Sequence, residues 1–104
     1  MWGRHMAGTG EGLRVTVAAL MFATGETQQH LAVGVGLSQT GVSRRQAGDR
    51  AWTLQDLDRL SAHYEIPVVD LLAGTDHAVR CLPAHRRAVS LGGRRTALPK
   101  GERR

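Results

Sequence analysis

The chain has 104 residues, enough for one domain with a modest core and too few for two. Its 14 Lys and Arg against 9 Asp and Glu give +5, but the charge is uneven: residues 75–104 hold eight basic and two acidic side chains, a net of +6, leaving −1 for residues 1–74. No apolar run nears the roughly 20 residues of a bilayer span, and the single Cys81 cannot form an internal disulfide, so a cytoplasmic chain attracted to polyanions is expected, with no membrane partner.

Residues 1–12, MWGRHMAGTGEG, are rich in Gly and lack a signal-peptide core, so they are expected to form a flexible N-terminal segment. Leu13, Val17, Leu20 and Met21 recur at helical spacing and predict a first helix over about 13–23, stopping near Gly25. Thr27 can cap a second helix with Leu31, Ala32 and Val35 as its buried stripe. Gly36 ends it, because glycine enters the left-handed conformation without steric cost. Ser38 can cap a third helix running to about Gln46, before Gly48.

Thr53 followed by Asp56 makes a capping-box pattern, with Trp52 placed to staple against Leu57. The fourth helix presents Leu54, Leu57, Leu60, Ser61 and Tyr64. Pro67 opens a short fifth helix bearing Val68, Val69, Leu71 and Leu72, closed by Gly74. These elements predict an all-α fold, a compact five-helix bundle over 13–74. Pro83, Gly92, Gly93 and Pro99 interrupt residues 75–104, which read as a basic, largely disordered tail with at most a helical turn at 77–81. Truncation after Gly74 should then leave a folded domain.

The segment TQQHLAVGVGLSQTGVSRRQAG, residues 27–48, joins two helices by a Gly-containing turn, the pattern of a helix-turn-helix. Ala32 is small where the helices would cross, and Leu31, Val35, Leu37 and Val42 supply the apolar contacts. The other face of the third helix offers Gln39, Thr40, Ser43 and Arg44. Gln pairs bidentately with adenine, Arg with guanine, and a Thr methyl meets that of thymine, so the face suits base edges in the major groove.

From about Leu13 to Gly74 the chain resembles the lambda-repressor and Cro-like helix-turn-helix family. TQQHLAVGVGLSQTGVSRR follows the family pattern, and SRRQAGDRAWTLQDLDRLSAHYEIPVVDLL is similar to small actinobacterial and actinophage members, immunity repressors among them. The resemblance implies a five-helix, sequence-specific regulator of transcription, a repressor binding double-stranded DNA at an inverted-repeat operator as a homodimer. It implies that Gln28 contacts phosphate and supports Gln39, that Gln39 and Thr40 reach bases with Arg44 one turn on, and that amides near Thr27 and the loop from Ala47 to Arg50 hold the DNA backbone. Arg45 departs from the family, which commonly has an apolar residue there; it is expected to turn outward to phosphate while its methylenes cover the core. Gly34 and Gly41 also sit inside helices at a cost of about 1 kcal/mol each against Ala. Close approach to DNA would account for Gly41, whereas Gly34 has no explanation in the sequence.

Val68, Val69, Leu71 and Leu72 are expected to divide between core packing and a dimer contact. Arg86, Arg87, Arg94 and Arg95 in the basic tail are expected to follow DNA phosphates. His77, Cys81 and His85 are spaced four apart, but Pro83 breaks the face and a fourth ligand is missing, so no metal site is assigned. His30 and His63 read as exposed or satisfied helix residues. Neither a nucleophile with its base nor a phosphate loop is recognisable, so no enzyme activity, cofactor or small-molecule ligand is expected. The alternative is a protein-interaction module, an antitoxin or anti-repressor using the same bundle, although Val79, Leu82, Val89, Leu91 and Leu98 do not form the stripe such a tail needs.

Overall fold

A computed structural model describes the backbone of residues 2–88 and the side chains from residue 10 onward. It contains six α-helices and no strand among these residues: α1 (Trp2–Thr24), α2 (Gln28–Val35), α3 (Gln39–Ala47), α4 (Leu54–Tyr64), α5 (Val68–Leu71) and α6 (Thr75–Cys81), followed by a 3-10 turn at Ala84–Arg86. None of these helices is long and apolar enough to cross a membrane.

The helix starts follow from local chemistry. Oγ1 of Thr27 accepts the His30 amide while His30 Nδ1 accepts the Thr27 amide, and Thr53 and Asp56 exchange the same pair of bonds at α4. Ser38 Oγ accepts the Gly41 amide at 2.9 Å. Each such cap satisfies a first-turn donor that the helix cannot, a contribution of about 1 kcal/mol. Gly36 is left-handed at φ 72°, and the amides of Gly36 and Leu37 fold back on Val33 and Ala32 to turn the chain within three residues.

Leu20, Leu31, Leu60, Ile66 and Leu71, with Val17, Val42 and Tyr64, are the largest fully buried side chains. All but Ile66, which lies in the loop between α4 and α5, come from α1 through α5 as the apolar periodicity requires, and truncating any Leu or Ile among them to Ala would cost about 2–5 kcal/mol. Gly34 has its explanation in this core. A Cβ there would stand 2.2 Å from His63 Nδ1, so only glycine lets the imidazole lie against α2. His63 Nε2 in turn bonds Glu26 Oε1 at 2.7 Å, linking α4 to the turn before α2. Burial alone would raise the Glu26 carboxyl, but its hydrogen bonds and charge contact with His63, together with Tyr64 and Arg86, hold it below its ordinary value. Burial and the neighbouring Glu26 carboxylate push the Tyr64 hydroxyl far upward.

Two boundaries differ from expectation. The segment 1–12, expected to be flexible, is helical backbone from Trp2 onward. Once Leu13, Val17 and Leu20 hold α1 against the core, the helix extends outward without a second nucleation. The larger difference is at the C-terminal side. Residues 75–88 are not part of a disordered tail; α6 packs chiefly on α1, burying Ala78 and Leu82. Thr16 and Thr75 share a hydrogen bond of 2.9 Å, and the Ala88 amide donates to Ala23 O at 2.9 Å, returning the chain to α1.

Arg86 and Arg87, expected as tail contacts to DNA, are used within this packing. Arg86 donates to His63 O and lies 5.8 Å from the Tyr64 ring centre, while Arg87 donates to Val79 O. Carbonyls in the last turn of a helix attract such guanidinium donors. Arg94 and Arg95 lie outside the described residues.

A chain ending at Gly74 should therefore lose its cooperative thermal transition, because it uncovers the α1 surface under Ala78 and Leu82. A chain ending at Ala88 should melt within about 5 °C of the full-length protein, a shift corresponding to 1 kcal/mol or less for a domain of this size. Circular dichroism melts of the two truncations test this; a cooperative, full-length-like transition after Gly74 would show that α6 is dispensable.

Candidate nucleic-acid interface

The candidate surface is built on α3, which is two-sided. Val42 and Arg45 face inward and are buried, while Gln39, Thr40, Ser43, Arg44 and Ala47 are exposed. Helical spacing puts Gln39, Thr40, Ser43 and Arg44 along one strip, at i, i+1, i+4 and i+5. Thr27 is exposed at the start of α2 and Gln28 is half-buried beside it. Thr27, however, already uses its hydroxyl in the cap, and no hydrogen bond joins Gln28 to Gln39. Arg50 is exposed in the loop after α3, next to the acidic Asp49.

Arg45 is the main correction. Expected to reach outward for phosphate, it is 8% exposed, and its Nε donates to Asp56 Oδ2 at 2.8 Å. Asp56 is the residue whose same oxygen accepts the Thr53 amide at 2.9 Å, so one carboxylate both caps α4 and neutralises α3. Nη1 of Arg45 donates to Gly41 O at 3.1 Å, and the guanidinium carbon stands 5.6 Å from the Trp52 ring centre. Arg45 thus has a counter-ion, a backbone acceptor and aromatic cover, which is what a buried guanidinium needs.

The same geometry reassigns Gly41. A Cβ at that position would lie 3.2 Å from Ser38 Oγ and 3.3 Å from Arg45 Nη1, so glycine makes room for the cap and the guanidinium, both inside the protein. Burial by itself would raise the Asp56 carboxyl, but the Thr53 amide and the Arg45 guanidinium outweigh it and keep the group ionised below its ordinary range.

The C-terminal turn of α3 is fixed further by Gln46, the residue after Arg45. Its Nε2 donates to Arg14 O, its backbone oxygen accepts from Arg14 Nε, and its Oε1 accepts from Trp52 Nε1, at 3.0–3.1 Å throughout. Arg14 thereby lies over Gly48, where a Cβ would come within 3.0 Å of its Nη1. It brings a half-buried guanidinium from α1, shared with Glu11, to the loop that carries Arg50. Spacing alone could not have revealed this, since Arg14 and Gln46 are 32 residues apart.

Of the four residues expected at a dimer contact, Leu71 is core at 1% exposure and Val68 is half-buried against it, because a four-residue helix turns these two toward the bundle. Val69 and Leu72, at 73% and 47%, remain on the surface. Leu72 also lines a groove of about 450 Å³ with Leu54, Trp52 and Leu57.

The three histidine and cysteine residues spaced four apart do not gather. His85 Nε2 bonds Glu65 Oε2, whereas His77 and Cys81 meet Asp70 from α5. No protein-family model matches the chain, and no curated protein or solved structure was found to match it.

The two adjacent arginines should behave oppositely. Arg45→Ala should cost about 3 kcal/mol by leaving Asp56 buried without its partner, and Arg44→Ala should stay within about 0.5 kcal/mol; urea unfolding measures both. Asp56 and Glu26 have folded pKa values below their unfolded ones. Their stabilisation is thus complete above pH of about 5 and is lost as pH falls through the folded values. Asp56→Asn should accordingly be clearly less stable than wild type at pH 7 and approach it at acid pH. A constant difference across that window would contradict the assigned ion pair.

Proposed function

We propose that α2, the turn at Gly36 and α3 form a helix-turn-helix, and that the protein is a sequence-specific double-stranded DNA-binding regulator of transcription that represses by occupying its operator. The observation that supports this most is the division of α3: Arg45 and Val42 hold it from within, and Gln39, Thr40, Ser43 and Arg44 stand outside together with no partner among the described residues. A helix so held offers side chains that match base edges while its backbone stays rigid, which is how the major groove is read.

In this reading Gln39 and Arg44 give direct readout, and Thr40 and Ser43 fill the space between. The amides opening α2 and the cations Arg50 and Arg14 meet phosphates on either side. Arg45 contributes by positioning α3, without touching DNA. One short helix reads only a few base pairs, so a two-fold dimer is the natural means of lengthening the site. Val69 and Leu72, exposed on α5, are the apolar residues we assign to that contact, with Leu54 beside Leu72. Residues 89–104, which hold five basic and one acidic side chain, add affinity with little sequence choice.

The likeness to lambda-repressor and Cro-like proteins supports the same reading. An antitoxin or anti-repressor role would place its partner on this or another face without requiring Gln39 and Arg44 to discriminate bases.

Selection from randomised duplexes should return an inverted repeat with half-site centres about one helical turn, 34–36 Å, apart. On that site Gln39→Ala and Arg44→Ala should each lose about 1–3 kcal/mol while binding to random duplex hardly changes. Failure to enrich any sequence, or equal losses on selected and random DNA, would overturn the proposal. Enrichment of an asymmetric site bound one to one would retain DNA reading and refute the dimer.

A further inference from the structure

We propose that Asp70, His77 and Cys81 form a site for a divalent transition-metal ion of the zinc class. Asp70 Oδ1 lies 2.9 Å from His77 Nε2, Cys81 Sγ lies 3.6 Å from the same nitrogen, and all three donor atoms fall within 4.8 Å of one another. His77 and Cys81 share one face of α6 at i and i+4, and Asp70 reaches them from α5. All three are only partly covered, so an ion can enter.

The arrangement differs from a nucleophile relay in one decisive respect. In such a relay the imidazole joins thiol and carboxylate through opposite ring nitrogens. Here both address Nε2, and one nitrogen cannot accept from the thiol while donating to the carboxylate. Three donors converging on a common space suit a cation instead. Around zinc, bond lengths of about 2.0–2.3 Å at tetrahedral angles separate ligand atoms by about 3.3–3.6 Å. The His77 to Cys81 distance already matches, the Asp70 to His77 pair need open by a few tenths of an ångström, and Asp70 and Cys81, within 4.8 Å of each other, would draw to about 3.5 Å around the ion.

The donor set selects the metal. A thiolate and an imidazole favour zinc and its neighbours over magnesium or calcium, which require an oxygen shell. The fourth position is left for water. Binding removes the thiol proton and replaces the Asp70 to His77 hydrogen bond by two metal bonds, so affinity rises with pH. The ion would fasten α5 to α6, the helix that covers α1, and so stabilise the fold. This inference is independent of the DNA-binding proposal.

The test is titration of the untagged full-length protein, under a thiol-free reductant, with Co2+ and then Zn2+. One Co2+ should bind per chain with a thiolate-to-metal charge-transfer band, Zn2+ should displace it, and Zn2+ should raise the melting temperature. Cys81→Ser should abolish the band. His77→Ala and Asp70→Ala should weaken binding by at least about tenfold, the loss already seen when second-sphere partners are removed. His85→Ala should bind as wild type does. Metal-free circular dichroism checks the fold of each variant, and Asp70→Asn replaces Asp70→Ala if the latter is unfolded. No charge-transfer band in wild type, unchanged affinity in Cys81→Ser and His77→Ala, or a loss in His85→Ala matching that in His77→Ala would each overturn the assignment.

Discussion

The ion pair between Arg45 and Asp56 organises the structure. It joins the inner face of α3 to the first turn of α4 through a carboxylate that is also the cap of α4. A buried charge pair is rarely the most stabilising choice for its volume, since desolvation offsets much of the attraction. What it adds is direction. Its bonds require Gly41, Asp56, Trp52 and the Thr53 cap to occupy one arrangement, whereas an apolar side chain would accept several. The next residue, Gln46, fastens the same C-terminal turn of α3 to α1 and Trp52, and the outer strip has no hydrogen-bond partner among the described residues.

How much could be read from the chain depended on the range of each interaction. The all-helical character, the caps at Thr27, Ser38 and Thr53 and the turn at Gly36 are legible because each is complete within four or five residues. The exposure of Gln39, Thr40, Ser43 and Arg44 follows from helical period once Val42 is placed inside. Arg45 was misread because a guanidinium next to an apolar stripe normally turns to solvent. Its partner lies eleven residues away in another helix. Gly34 was opaque for the same reason, since the side chain that excludes a Cβ there is His63.

The C-terminal boundary shows the limit of periodicity. Helix α6 has seven residues, no side-chain cap and one small buried residue, Ala78, so its apolar signal is faint. Its place comes from tertiary packing on α1, which no local pattern reports. Pro83 and the paired arginines read as a tail, yet Arg86 and Arg87 donate to backbone oxygens in the last turns of α4 and α6. The metal-ligand pattern was likewise half visible. His77 and Cys81 were spaced correctly, but the third donor is Asp70, placed by the bend after α5, and His85 is drawn off by Glu65.

The internal pairing of Arg45, Arg86 and Arg87 lowers the cationic charge available at the surface. With Arg45 neutralised and Arg86 and Arg87 engaged, attraction to a polyanion rests on the exposed Arg44, Arg50, Arg59 and Arg80, a shared Arg14 and the basic side chains of residues 89–104. In the proposed DNA-binding function such a surface relies on the outward strip of α3 for discrimination. Amide chemical shifts followed through titration with a selected duplex test it most directly. The account predicts the largest changes at residues 27–29 and 39–50, with the Asp56 and α6 amides nearly still. Changes centred on α5 and α6, or none on α3, would contradict it.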